Sequence, residues 1–65
     1  METNAAYALI DTYDIKDCAA ILAVFAPDLY DQLRAAALSG ACDDVLLSLA
    51  RDLTKQVYNR EKILQ

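Results

Sequence analysis

The sequence predicts an all-α fold: a small helical bundle of three short helices and one long C-terminal helix, in a single domain of residues 1–65. Three observations predict it. Alanine and leucine are abundant while glycine and proline occur once each, a composition that suits helices. Apolar residues recur at spacings of three and four, the period of one helix face. Residues that start and stop helices fall where those spacings break.

The first element is a short helix over about 5–12, with Thr3 or Asn4 as its cap and Tyr7, Leu9 and Ile10 as its apolar side. The stretch AYALIDTY also holds β-formers, but no second strand exists to pair with it, so helix is preferred. Asp14 starts the second helix, and Asp17 stands three residues on, where a capping-box acid belongs. Ile15, Cys18, Ala19, Ile21, Leu22 and Phe25 mark one face of that helix, over about 15–24. Pro27 ends it, because the ring blocks a helical bond and pushes Ala26 out of the α region.

Proline also suits a first helical turn, so a third helix begins at once and covers about 27–38. Its stripe is Leu29, Tyr30, Leu33, Ala36 and Ala37. Ser39 and Gly40 close it, with Gly40 in the left-handed position; Ser39 is alternatively the cap of the last helix. That helix covers about 41–63. Asp43 and Asp44 in its first turn and Arg60 and Lys62 in its last both favour its dipole. Leu46, Leu49, Leu53, Val57 and Leu64 form its stripe, widened by Val45 and Leu47. At about 34 Å it outruns three short helices. Its C-terminal half is therefore expected to project or to pack against a second chain.

The centre of the fold is helix-turn-helix-like. Asp17, Ala19, Leu22, Ala23 and Val24 are followed by Leu29-Tyr30 and then by Leu33-Arg34. This pattern resembles the helix-turn-helix of excisionase-type and MerR-type DNA-binding proteins, over about a third of the chain. Packing explains it: a small residue, Ala19, at a steep crossing, a sharp turn near Ala23, and Leu22, Val24, Leu29 and Leu33 closing the core beneath. The resemblance implies DNA binding. The outward residues oppose it, since Asp28 and Asp31 repel phosphates and only Gln32 and Arg34 suit a DNA reader. No wing follows, and Gly40 leads straight into another helix.

Charge points the same way. The net charge is −4 and uneven. Residues 1–50 carry Lys16 and Arg34 against eight acids, a balance of −6, whereas residues 51–65 carry four cations against Asp52 and Glu61, a balance of +2. An acidic body repels nucleic acid and suits a basic protein partner.

Catalysis is not expected. The chain has no histidine, no serine with an evident base, and no glycine-rich phosphate loop. Cys18 and Cys42 lack a flanking cation; free buried thiols are preferred over a single bridge. Two cysteines without histidine exclude a structural zinc cluster, and no cofactor is expected. An apolar content of 57% is high for a short chain and suggests surface that meets another chain. The expected homodimer seam is Leu46, Leu49, Leu53, Val57 and Tyr58. No apolar run is long enough to span a membrane and no basic segment opens a secretory signal, so a cytoplasmic protein is expected. The expected function is that of a small regulatory or adaptor protein, of which phage-type inhibitors are an example. It would act through a protein partner at the acidic helix bearing Asp28, Asp31, Gln32 and Arg34, with helix-turn-helix DNA binding as the alternative.

Overall fold

In the computed structural model, which describes the backbone of residues 3–64 and the side chains of residues 5–60, the chain forms four helices. They are α1 (Thr3–Ile10), α2 (Ile15–Phe25), α3 (Pro27–Leu38) and α4 (Asp43–Leu64). The fold is an all-α bundle with no strand among the described residues. The expected cap at Thr3 or Asn4 falls on side chains outside that description, as do Lys62 and Leu64 of the long helix.

Local chemistry sets the helix ends. The Asp14 side chain accepts from the Asp17 N–H at 3.0 Å, and the Asp17 carboxylate accepts from the Asp14 N–H at 3.3 Å, completing the capping box. Ala26 alone separates α2 from α3. Its N–H donates to the Leu22 carbonyl at 2.9 Å, while its own carbonyl accepts from Leu29 and Tyr30 at 2.9 and 3.0 Å. The helical path breaks at this residue, at φ −149° and ψ 73°, one step before Pro27. At the other end of α3, Gly40 adopts φ 92°. Ala41 N–H bonds to Ala36 and Gly40 N–H to Ala37, the paired bonds of a Schellman ending. Ser39 does not cap α4: its hydroxyl donates back to the Ala36 carbonyl at 2.8 Å.

Contacts along α4 fix the layout. Arg51 bonds to Tyr13 just before α2, and Arg60 bonds to Asp28 just after it, so α2 lies alongside α4 in the same sense. Tyr7 meets Tyr58 and Asn59 while Asp11 meets Lys55, so α1 runs in the opposite sense. The short connection from α3 turns it back against α4. The core is Cys18, Leu22, Ala26, Leu29, Leu33, Ala50, Leu53 and Val57. Cys18, Ala26 and Ala50 are small, which lets the helices approach closely. Thr54 is buried too, and its hydroxyl donates to the Ala50 carbonyl at 2.8 Å.

Several expectations need correction. The helix covers residues 3–10 rather than 5–12; Thr12 instead turns its hydroxyl onto the Leu9 carbonyl at 2.6 Å. The turn comes at Ala26, not near Ala23, and the buried ridge of α2 is Cys18, Leu22 and Ala26. Val24 lies two residues from both Leu22 and Ala26, hence on the opposite face of the helix, and is 73% exposed rather than in the core. Phe25 is exposed at the end of α2. Cys18 is buried, but Cys42 is exposed just before α4; both thiols are free. As far as Tyr58, α4 does not project: Leu53 and Val57 are in the chain's own core, and α1 covers the flank.

Candidate interaction surface

Arg51, Lys55 and Arg60 of α4 face the rest of the chain. Arg51 Nε donates to the Tyr13 carbonyl at 2.9 Å. Lys55 Nζ lies 2.8 Å from the Asp11 carboxylate and 5.3 Å from the centre of the Tyr7 ring. Hydrogen bonding to Asp11 raises the Lys55 ammonium above its ordinary 10.5. Next to it, Asn59 donates to the Tyr7 hydroxyl at 2.7 Å, and Tyr58 packs edge-on against Tyr7 with ring centres 6.3 Å apart. Arg60 reaches both Asp28 oxygens at 3.4 and 3.3 Å, and that hydrogen bonding holds the Asp28 carboxyl below its ordinary 3.8.

This inward set was missed in the sequence. The available signal was the spacing of Arg51, Lys55 and Asn59, four residues apart on one helix flank. Reading the cations as a helix-end cluster hid the fact that Arg51, Lys55 and Asn59 line one flank, turned to α1 and the segment after it, while Arg60 turns to α3.

The acidic helix presents its expected residues outward. Asp28, Asp31, Gln32 and Arg34 are all exposed. Asp28 is tied to Arg60, whereas the other three make no side-chain bond among the described residues. The expected dimer stripe divides. Leu53 and Val57 are 1% and 6% exposed and lie in the chain's own core. Leu46 and Leu49 are half-buried against the core, and Tyr58 is half-buried against Tyr7.

Among the described residues the exposed acids outnumber the exposed cations, Lys16, Arg34 and Arg60, and large apolar side chains stand beside them. Leu9, Val24, Phe25, Leu38 and Val45 are the exposed large apolar side chains. A shallow depression on the N-terminal half of α4 is lined by Asp44, Val45, Ser48, Leu49 and Asp52. Among the described residues no group of three or more acids or cysteines is placed to hold a metal ion, and no helix is long and apolar enough to cross a membrane. Cys18, at 0% exposure, offers no thiol to a solvent-borne reactant.

No protein-family model, no curated protein and no solved structure matches this chain.

Proposed function

We propose that this chain is a small non-enzymatic regulatory or adaptor protein that acts by docking on another protein. One observation carries the reading: Arg51, Lys55 and Arg60 are bound to acceptors of their own chain. That leaves Asp31 and the first-turn acids of α4 facing outward beside exposed apolar residues. Such a surface repels phosphates and suits a protein partner. Asp31, Gln32 and Arg34 on α3 are available to a partner as they stand, and Asp28 is exposed beside them while paired with Arg60.

The second reading is DNA binding through α2 and α3. It is favoured by two consecutive packed helices with Leu22, Leu29 and Leu33 buried between them and α4. It is opposed by a junction of one residue, Ala26, where such motifs use a turn of about three or four, and by the aspartates of α3.

Fluorescence anisotropy of a labelled mixed-sequence duplex at about 50 mM salt separates the two. Docking predicts no binding. Saturable binding that weakens steeply as salt rises establishes the DNA reading instead.

A further inference from the structure

We propose that the groove on the N-terminal half of α4 receives a basic amphipathic segment of a partner protein, its apolar side on Val45 and Leu49 and its cations on Asp44 and Asp52. The proposal rests on the protein-docking reading and adds to it a surface and the chemistry of the partner.

The groove combines two features that other faces offer separately. Its floor is apolar: Val45 is 54% exposed, and Leu49 is half-buried with its inner edge against the core. Its ends are anionic. Asp44 and Asp52 are eight residues apart on one helix, a distance of about 12 Å along the axis. Neither is within ion-pair distance of a cation among the described residues. No cation lines this depression; Lys16 stands near Asp44 in an adjoining one, and Arg51 and Lys55, beyond Ala50, are turned to Tyr13 and Asp11, with Asp52 acting on Lys55 only at longer range. A neighbouring depression shares Asp44, Ser48 and Asp52 but is lined also by Arg51 and Lys55, so the surface free of cations is the side that carries Val45 and Leu49.

The outer face of α2 has the apolar character, in Ala20, Ala23 and Val24, but its exposed charges, Lys16 and Asp17, are of opposite sign and select no occupant. The outer face of α3 has the charge, in Asp31, but only Leu38 at its far end is a large exposed apolar residue.

Charge complementarity chooses the occupant. A second copy would bring the acids of one α4 against the acids of another, in a chain of net charge −4. Nucleic acid and anionic lipid are repelled for the same reason. A helix with apolar residues at spacings of three and four and lysine or arginine alongside them meets both the floor and the ends of the groove.

The probe is an amidated peptide of about 14 residues built only from leucine and lysine, with leucine on one helix face. A second peptide replaces lysine by glutamate. Both are titrated into the isotope-labelled full chain, followed by amide shifts. The expected result is saturable binding of the lysine peptide alone, with shifts centred on Asp44 to Asp52. Asp44→Lys with Asp52→Lys is expected to weaken it about tenfold, and Val24→Lys to leave it unchanged. Asp52→Lys alone lies beyond the first turn of α4 and serves if the double variant loses its fold.

Shifts centred on α2 or α3, equal binding by the charge-reversed chain, or no saturable binding overturns the proposal. Weakening by Asp31→Lys instead of Asp52→Lys removes the groove but keeps protein docking, now at α3. Duplex binding at low salt removes the docking reading itself.

Discussion

The two sides of α4 are held by different physics. On one side Leu53, Ala50 and Val57 interlock with Cys18, Leu22, Leu29 and Leu33, a contact of apolar groups shielded from water. On the other side α1 buries Ala6 and Ile10 and sets Tyr7 edge-on against Tyr58, and its other ties are polar: Asp11 to Lys55, Asn59 to Tyr7, and Arg51 to the Tyr13 carbonyl just beyond it. Apolar burial resists salt, whereas exposed ion pairs are screened by it. The core side should therefore open only with global unfolding, and α1 should open on its own.

The largest expected effect breaks the core side. Leu22→Ala removes a side chain of 0% exposure and should cost about 2–5 kcal/mol. A domain of this size has a total of about 3–10 kcal/mol, so denaturant titration should find the variant largely unfolded or close to it. Next comes Asp14→Ala, which removes one arm of the capping box and should cost about 1 kcal/mol, seen as a lower midpoint with an unchanged slope. Tyr7→Phe keeps the aromatic contact and deletes the acceptor of Asn59. It should cost about 1 kcal/mol or less, and the loss should appear as faster amide exchange in α1 alone. If it instead lowers protection equally in α2, the two sides are one cooperative unit.

The smallest effects are electrostatic and have opposite pH signs. The Asp28 carboxyl is held below its ordinary value by Arg60. Its contribution is therefore present above the unfolded carboxyl value of 3.8 and is lost as pH falls through the lower folded value. The Lys55 ammonium is raised by Asp11, so its contribution is present below the unfolded value of 10.5 and is lost as pH rises through the higher folded one. Acid should loosen the tie between the start of α3 and the end of α4; strong alkali should loosen α1. Amide shifts of Leu29 and of Asp11, followed across the titration, check each sign.

The same contrast explains what could be read from the sequence. The bounds of α3, the capping box at Asp14 and the left-handed Gly40 were legible because each rests on residues within one turn. The apolar stripe of α4 was legible as a stripe, but not what covers it, because Leu53 and Val57 meet residues more than twenty positions away. Phe25 was placed inward by its spacing and Val24 by the helix-turn-helix pattern; the spacing of two from Leu22 and Ala26 already put Val24 on the opposite face, whereas the exposure of Phe25 at the end of α2 emerged only from the fold. The acidic face of α3 was legible and its residues are exposed, whereas the loss of Asp28 to Arg60 depends on a contact across 32 positions. Val45 was read as part of the stripe, and its exposure beside Asp44 and Asp52 emerged only from the fold.

The central claim is that Arg51, Lys55 and Arg60 of α4 hold the chain's own segments, with Lys55 tying down α1 through Asp11 and Tyr7, rather than an external ligand. Residue-resolved native-state hydrogen exchange at about 20 mM and about 1 M salt tests it most directly. The account predicts lower opening free energies for α1 amides than for α2 amides at both salts, with the gap widening as salt rises and Lys55 loosens from Asp11. Equal opening free energies for α1 and α2, unchanged between the two salts, would contradict it.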